Sequence, residues 1–417
     1  MRIVIIAPGT RGDVQPYIAL GKGLQNAGHP VRLVSHSNFE LLVKSYGLEF
    51  WSFGNDVKGA AETSEMRELT EKGNFLLLLA KMAKEAQREA LRFAEGGLRA
   101  AQGMDLVLTG MGGLFIGIAI AEKVDIPLVQ AYVVPFTPTQ EFSSVLTPRL
   151  PALLNRFSHQ ITRQLMWQGF RSADTIARKK VLNIPGAPLL GPYNSRSVHA
   201  MPILYGFSPS VIPAPSDWNG NIHITGYWFA EESDDWQPPS ALVDFLRSGA
   251  PPVYFGFGSM SCRNPEQTAD LIIQALSQVK QRAVLLSGWG GLQKAGLPES
   301  IFMIDSVPHS WLFPRVSAVV HHGGASTTAA GLHAGVPSVI VPFFGDQPYW
   351  GQRIADLGVG SKPVPRKKLS PEALANAIRE VVTNEEIRQR AASLGKKIQT
   401  ENGIKSAVEI IDQLEKR

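Results

Sequence analysis

Residues 303–353, MIDSVPHSWLFPRVSAVVHHGGASTTAAGLHAGVPSVIVPFFGDQPYWGQR, are the stretch from which we predict the fold of this chain. An apolar run, residues 316–320, ends abruptly at the HHGG turn of residues 321–324. Small, helix-competent residues follow up to His333, and a second apolar run covers residues 338–341. This order predicts a strand, a glycine turn, a helix and another strand, which together form one unit of an open, parallel α/β sheet.

Polar residues and glycines follow the first of these predicted strands. Ligands of open α/β sheets lie beyond the carboxyl ends of the strands, and helix N-termini there favour phosphate. Gly323 and Gly324 let the backbone approach a ligand closely because they carry no Cβ atom. His322 adds a hydrogen-bond donor, and Ser326 and Thr327 place hydroxyls in the first helical turn. The pattern predicts a pyrophosphate site, with an ordinary βαβ unit and N-cap hydroxyls as the alternative.

The succession of HHGGAST, GVP and PFFGDQPYWGQR resembles the nucleotide-sugar box of family-1 glycosyltransferases. The variant is similar to that of sterol 3-beta-glucosyltransferases and bacterial natural-product glycosyltransferases. The whole box matches in order and spacing, so the resemblance is far more specific than a lone GxGxxG motif. It implies an α/β chain of GT-B architecture, with two Rossmann-like, doubly wound domains facing a central cleft. The resemblance is weakest over residues 50–239, where it places the acceptor.

Composition sets the broad class. A chain of 417 residues is too long for one typical core, so we expect two domains. An apolar content of 44% and a charged content of 18% are typical of an ordinary soluble globular protein. The net charge is +5, and the basic cluster of residues 366–368 is better interpreted as a solvated loop than as a nucleic-acid patch. We therefore expect no nucleic-acid partner, whereas the mild basic excess favours peripheral contact with anionic membranes.

The single cysteine, Cys262, excludes internal disulfides and any cysteine-based metal site. It suits a reducing cytoplasm. The apolar run of residues 3–7 is too short for a signal peptide and is better interpreted as a first strand. No uninterrupted apolar segment reaches the ~20 residues that span a bilayer. We expect a cytoplasmic protein that does not cross membranes.

The alternation of predicted strands and helices divides the chain into four parts. Residues 202–239 are rich in proline, tryptophan and glycine, which favours an interdomain linker. The predicted parts are an acceptor-binding domain, residues 1–205; the linker, residues 206–251; a nucleotide-sugar-binding domain, residues 252–400; and a C-terminal helix, residues 401–417. By analogy with relatives of this fold, the last helix packs back on the first domain.

Asp13 is the candidate general base. A carboxylate in a glycine-rich loop after the first strand can accept a proton, although an acidic N-cap of the next helix fits the pattern as well. The segment GTRGDVQPYIAL resembles the first loop of sterol and glycopeptide glycosyltransferases, which implies that Asp13 deprotonates the acceptor hydroxyl. Thr10, Arg11 and Gly12 stand beside it, within reach of the diphosphate, with a surface charge as the alternative for Arg11.

The resemblance also implies the donor contacts. Val307 matches a position whose backbone meets the nucleobase, and His309 matches one near the base and ribose. Asp346 and Gln347 would bind the sugar hydroxyls, with capping of the next helix as the alternative. The expected diphosphate partners are Ser259, His322, Gly324, Ala325, Ser326 and Thr327. The dipole of the following helix would help to stabilise the leaving diphosphate, so we expect no metal and no cofactor beyond the donor.

The donor and acceptor follow from the branch of the family. Ala330 stands where plant relatives carry a glutamate for the ribose, so plant rules for donor choice do not transfer. UDP-glucose is the leading donor and a dTDP-sugar its competitor. The expected reaction is inverting transfer to a hydrophobic alcohol such as a sterol, triterpenoid, polyketide or flavonoid. The alternatives are a nucleotide-sugar epimerase or hydrolase, and a non-catalytic sugar-nucleotide-binding protein.

Two apolar stretches in the first predicted domain could belong to the core or could bind the acceptor. Residues 136–144 and 149–169 are rich in Pro, Phe, Leu, Met and Trp. Such stripes are typical of a protein core. The alternative is a hydrophobic acceptor pocket between the loops of the first domain.

Overall fold

The structure is a computed structural model that describes residues 1–53, 68–69, 73, 75–230, 236–258, 265–287 and 296–415. The chain forms two compact units. The first contains Met1–Val57, Leu76–Glu231 and Glu401–Arg417, and the second contains Lys58–Phe75 and Glu232–Thr400. The domain limits predicted from the sequence stay predictions.

Strands and helices alternate along the first unit, as its apolar patterning predicts. Its elements are β1 (Ile3–Ile6), α1 (Arg11–Asn26), β2 (Val31–Ser35), α2 (Glu40–Ser45), β3 (Glu49–Ser52), α3 (Phe75–Ala101), β4 (Leu106–Thr109), α4 (Leu114–Val124), β5 (Leu128–Tyr132), α5 (Asn155–Ala177), β6 (Ile203–Tyr205) and β7 (Ile222–Ile224).

The first sheet has seven strands in the order β3-β2-β1-β4-β5-β6-β7, and its neighbouring strands run parallel. Every residue of β1 is fully buried, because helices cover both faces of such a sheet. Strand β1 lies between β2 and β4. From β1 the next strands along the chain, β2 and β3, extend the sheet to one side, and β4 extends it to the other, so the strand order reverses at the end of β1. Ligands bind at such switch points, and the loop that carries Asp13 starts there.

The second unit repeats the architecture. Its elements are α6 (Ser240–Arg247), β8 (Val253–Gly256), α7 (Pro265–Val279), β9 (Ala283–Leu286), β10 (Ile301–Ile304), α8 (His309–Leu312), β11 (Ala318–His321), α9 (Ala325–Ala334), β12 (Ser338–Ile340), α10 (Gln347–Asp356), α11 (Pro371–Thr383) and α12 (Glu385–Gln399). The five parallel strands lie in the order β10-β9-β8-β11-β12. The predicted strand–turn–helix–strand unit is confirmed as β11, α9 and β12.

Alternate residues of the second sheet build two cores, one on each face. Phe255 and Val320 pack into one core together with Ile378 of α11. Tyr254 and Val319 point the opposite way, into a core that contains Leu312 and Phe313. This alternation follows from the two-residue repeat of a strand. Burial on both faces holds the ends of β8 and β11 side by side, where His321 pairs with Gly256.

The last helix, α13 (Gly403–Glu415), packs against α1 within the first unit. Gly23 makes room for it: a Cβ atom at this position would lie 2.1 Å from Cγ2 of Ile404. His29 and Asp412 join the two elements through a 2.6 Å contact between Nε2 and Oδ1. The sequence predicted that a separate C-terminal helix begins at residue 401. The structure has a further helix boundary at Asn384, whose side chain accepts a hydrogen bond from the N–H of Ile387 and caps the start of α12.

In the part of the chain that the structure describes, no helix has both the length and the apolar composition needed to cross a membrane.

Candidate active-site residues

The loop after β1 holds Asp13 in a defined position. Thr10 is the N-cap of α1, and Asp13 is the third residue of the helix. Oδ2 of Asp13 accepts hydrogen bonds from the backbone N–H of Thr10 at 2.8 Å and from its hydroxyl at 2.9 Å. Gly9 adopts φ +139°, and a Cβ there would lie 2.6 Å from the same oxygen. The interpretation of Asp13 as the N-cap is therefore wrong, although its carboxylate does satisfy the N-cap backbone.

The surroundings of Asp13 suit a proton acceptor. Oδ1 has no hydrogen-bond partner among the described residues, and the residue is exposed. Protein atoms nevertheless crowd the carboxylate enough for desolvation to raise its pKa above the ordinary value of 3.8, against the opposing effect of the Thr10 hydrogen bonds. Arg11 and Gly12 are exposed, and Nε of Arg11 donates to Gln15 at 3.4 Å. One oxygen is thus committed to the loop, whereas the other makes no hydrogen bond among the described residues.

His322 lies between two glycines in the second unit. A Cβ at Gly258, which adopts φ +59°, would lie 3.0 Å from Cε1 of the ring, and a Cβ at Gly324 would lie 2.5 Å from Nε2. The ring is buried, and Nδ1 has no hydrogen-bond partner among the described residues. Burial lowers the pKa of His322 to about 4, so the imidazole is neutral at pH 7. A neutral imidazole can donate one N–H to a phosphate without the cost of burying a charge.

The neighbouring His321 has a different task. Its Nδ1 accepts a hydrogen bond from the N–H of Gly323 at 3.1 Å, which leaves the ring proton on Nε2. Burial holds the pKa of His321 well below its ordinary value. Gly323 adopts φ +91°, and a Cβ there would lie 2.7 Å from Cγ2 of Ile340. The first histidine therefore stabilises the tight turn that places the second, a role that was not predicted from the sequence.

Helix α9 begins directly after this turn. Gly324 is the N-cap, and the N–H of Thr328 makes a backbone bond to the carbonyl of Gly324 at 2.9 Å. Because glycine has no side chain, it cannot cap the N–H groups of the first turn, which carries Ala325, Ser326 and Thr327. These residues are half-buried. The structure thus brings His322, the glycine N-cap and the two hydroxyl-bearing residues together in one continuous segment.

Gln347 and Asp346 shape the loop after β12. Oε1 of Gln347 accepts hydrogen bonds from the N–H groups of Phe343 at 2.8 Å and Phe344 at 3.3 Å, and the residue is buried. Oδ2 of Asp346 accepts from Nε1 of Trp350 at 2.9 Å. Both residues therefore have structural tasks, and their expected contacts with sugar hydroxyls stay predictions.

The two expected nucleobase positions lie between β10 and β11, Val307 in the loop after β10 and His309 at the start of α8. Val307 is buried in the core that contains Tyr254 and Phe313. The His309 ring stacks on Phe313 with centroids 4.4 Å apart, and its Nε2 lies 3.1 Å from the hydroxyl of Tyr254. Ser259, the remaining predicted phosphate partner, lies outside the described residues.

Among the described residues, no three His, Cys, Asp or Glu side chains lie close enough together to hold a metal ion. The expected metal independence stays a prediction.

Two family models match the chain, one in each half. The glycosyltransferase family 28 N-terminal domain matches residues 3–143, a range that includes Asp13. The C-terminal domain of the erythromycin biosynthesis protein CIII-like family matches residues 270–416, which include the HHGG turn.

Curated relatives align along almost the whole chain. Two sterol 3-beta-glucosyltransferases of Arabidopsis thaliana are 37% and 36% identical; each alignment covers 98% of this chain, and 64% and 67% of the respective relative. A sterol 3-beta-glucosyltransferase of Cryptococcus neoformans is 34% identical over 99% of this chain but only 27% of its own length. The chain thus spans about two thirds of the plant relatives and about a quarter of the fungal one.

Solved structures share the fold. The kitacinnamycin glycosyltransferase superposes with a TM-score of 0.71 at 18% identity, covering 99% of this chain and 98% of the other. Glycosyltransferase VinC, solved in complex with dTDP, gives a TM-score of 0.66 at 20% identity and covers both chains completely. The predicted GT-B fold class is confirmed.

Proposed function

This chain belongs to the glycosyltransferase family of the sterol 3-beta-glucosyltransferases, and we propose that it transfers a hexose from a UDP-sugar to a hydroxyl of a hydrophobic acceptor. The leading donor is UDP-glucose, and the leading acceptors are sterols and triterpenoid alcohols. A dTDP-sugar is the competing donor, because the ribose position marked by Ala330 carries no carboxylate. A cytoplasmic location stays a prediction from the single cysteine.

The hydrogen-bonding of Asp13 is the observation that carries the proposal. A general base must be held in place and must also keep an oxygen available for the proton that it removes. Thr10 holds Oδ2 with two hydrogen bonds, while Oδ1 has no partner among the described residues. A pKa above the ordinary carboxyl value also makes the carboxylate a stronger base. We therefore assign the removal of the acceptor proton to Asp13.

The turn and helix that follow β11 supply the donor chemistry. The leaving group is a nucleoside diphosphate, whose negative charge grows as the glycosidic bond breaks. The N-terminus of α9 carries partial positive charge, and a neutral His322 adds an N–H donor. Such preorganised groups stabilise charge as it develops, which is usually the largest contribution to catalysis. We propose that His322, Ser326 and Thr327 bind the diphosphate.

The proposed step balances without a covalent intermediate. The acceptor oxygen forms a bond to the anomeric carbon while the bond to the diphosphate oxygen breaks on the opposite face. The diphosphate leaves with the electron pair, and the hydroxyl proton passes to the carboxylate of Asp13. The anomeric configuration inverts, so an α-linked donor gives a β-glycoside.

Product analysis with matched variants tests this function. We would incubate the protein and EDTA with UDP-glucose or dTDP-glucose and a panel of sterols, triterpenoids and phenols, and identify products by mass. Asp13→Asn should lower transfer by roughly 10²–10⁴-fold, the usual contribution of a general base. Asp125→Asn is the control, because Asp125 is exposed and its φ of 54° tolerates asparagine.

The three possible outcomes distinguish the proposed function from its alternatives. Transfer that survives in Asp125→Asn and disappears in Asp13→Asn supports the proposal. Undiminished transfer by Asp13→Asn overturns the assignment of the base. Donor binding with no transfer to any acceptor favours a non-catalytic sugar-nucleotide-binding protein.

A further inference from the structure

The N-terminal half of α5 has its polar side buried and its apolar side exposed. Phe157 is 60% exposed, and Ile161 and Leu165 are each 39% exposed. Leu153 and Leu154, just before the helix, are 96% and 45% exposed. Positions 154, 157, 161 and 165 share one face of a helix, because residues three and four apart are neighbours. The prediction that this stripe belongs to the core is wrong for these five residues.

The opposite face of α5 is polar and fully buried. Its members are Asn155, Ser158, His159 and Thr162. Each one is hydrogen-bonded to the segment that precedes the helix. The Ser143 hydroxyl donates to Oδ1 of Asn155 at 2.7 Å, and the Ser158 hydroxyl accepts from the N–H of Ser144 at 2.8 Å. The hydroxyls of Ser144 and Thr162 lie 2.7 Å apart. Nε2 of His159 lies 3.0 Å from the carbonyl oxygen of Phe142. Burying the apolar side instead would break all of these bonds, so they fix which side of the helix faces inward.

A neighbouring turn extends the exposed apolar surface. Leu189 and Leu190 are 62% and 68% exposed. Nε2 of Gln164 donates to the carbonyl of Leu190 at 2.8 Å, and Nε2 of Gln168 donates to that of Leu189 at 2.9 Å. Both glutamines lie within one turn of Leu165, so the turn and the helical stripe adjoin. We call Leu153, Leu154, Phe157, Ile161, Leu165, Leu189 and Leu190 the apolar face.

The chain around the apolar face is basic. No Asp or Glu occurs between Glu141 and Asp174, whereas this interval contains Arg149, Arg156, Arg163 and Arg171. Arg149, Arg156 and Arg171 are exposed. The acids that bound the interval are engaged, since Glu141 accepts from Ser216 and Asp174 pairs with the buried Arg178. Asp217, which lies near Arg156, accepts from Thr139 at 2.6 Å. The surface therefore favours an anionic partner.

We propose that the apolar face docks on the surface of an anionic lipid bilayer. Its leucines and Phe157 would enter the boundary between headgroups and acyl chains, while the arginines contact lipid phosphates. A second copy of the chain fits less well, because a two-fold contact through the same face would bring the arginines of both copies together. The proposal does not depend on sugar transfer, and its test uses binding alone.

Vesicle co-sedimentation of the full chain tests the proposal. Vesicles of phosphatidylcholine with phosphatidylserine should retain the protein, and vesicles of phosphatidylcholine alone should retain it at least about tenfold less. The double variant Leu153→Glu/Phe157→Glu should bind the anionic vesicles at least about tenfold more weakly. Leu41→Glu is the matched control, because Leu41 is 85% exposed on α2 and is not part of the apolar face. It should bind as the wild type does.

The arginines and the fold are tested separately. Arg156→Gln/Arg171→Gln should weaken binding to anionic vesicles and reduce its dependence on salt. Circular dichroism and the melting temperature should not change in any variant, since all these side chains are exposed. Equal binding by Leu153→Glu/Phe157→Glu and wild type overturns the proposal, as does failure of the wild type to bind. A wild-type dimer that the same double variant converts to a monomer assigns the face to a second copy instead.

Discussion

Thr10 donates both its backbone N–H and its hydroxyl to one oxygen of Asp13, at 2.8 Å and 2.9 Å. Both hydrogen bonds favour the ionised carboxylate and so lower the pKa of Asp13, while desolvation raises it and prevails. Thr10 therefore adjusts the basicity of Asp13 in addition to holding its position. A change at Thr10 can thus alter the pH dependence of the reaction through its effect on Asp13.

Thr10→Val should shift the acid limb of the pH–rate profile to higher pH. The base acts only when ionised, so kcat/KM falls as the pH drops through the pKa of Asp13, which lies above 3.8. Valine removes the hydroxyl donor but keeps the N–H donor, which raises that pKa further. Thr10→Ser retains the hydroxyl and should leave the profile unchanged. If both variants titrate like the wild type, Asp13 is not the group whose ionisation limits transfer.

Gly324→Ala should weaken donor binding by about tenfold or more. The added Cβ would lie 2.5 Å from Nε2 of His322 and displace the ring, an overpacking cost of about 1–3 kcal/mol. Titration calorimetry with UDP measures the effect. Gly220→Ala makes the same chemical change where no atom lies within 4 Å and should bind UDP normally. Unchanged affinity in Gly324→Ala would place the diphosphate away from His322.

His322 should make the second unit sensitive to acid. Its folded-state pKa is about 4, below the ordinary 6.5, so its contribution to stability is complete above pH 6.5 and is lost as the pH falls towards 4. The shift corresponds to about 3 kcal/mol. His322→Asn should therefore lose less stability than wild type between pH 7 and 4 in urea titrations, whereas His199→Asn, at an exposed site, should not differ. An equal loss in all three proteins would assign the acid sensitivity to other groups, such as His321.

Gly23 and Ile404 should be energetically coupled. Gly23→Ala places a Cβ 2.1 Å from Cγ2 of Ile404 and should cost about 1–3 kcal/mol. Ile404→Ala removes the obstructing atoms, so the double variant should be more stable than the sum of the two single effects. Urea unfolding of all four proteins gives the coupling energy. If the two changes in the free energy of unfolding were strictly additive, α13 would not pack against Gly23 in solution.

Two patterns predicted the fold correctly: the short apolar runs of the buried strands and the glycines of the HHGG turn. Parallel strands are buried on both faces, so each is a short apolar run, and the run of residues 3–7 was predicted as the first strand, which is observed at Ile3–Ile6. The unit around the HHGG turn was equally clear, because glycines end the strand and precede the helix. The start of α12 was missed, since Asn384 lies inside a continuous helix-forming sequence.

The buried face of α5 and the anchoring of Asp13 depend on side-chain contacts that cannot be predicted from the sequence pattern. The periodicity of α5 indicates an amphipathic helix, but it is the same whichever face is buried. Ser158 and Thr162 are buried because the preceding loop supplies their hydrogen bonds, and that loop forms only in the folded chain. Asp13 could likewise be singled out from its loop, whereas its anchoring by Thr10 depends on distances that no pattern encodes. The roles of the donor-site residues still require a bound donor.

The packing of α13 on α1 bears on the order in which the protein matures during synthesis. Helix α1 leaves the ribosome early, and the helix that covers Gly23 leaves it only after both sheets have been made. The second unit has all of its strands before residues 403–415 emerge, so it can complete its core first. The first unit must meanwhile leave the surface of α1 around Gly23 open to solvent. Nascent chains halted before residue 403 should therefore engage chaperones through the N-terminal unit.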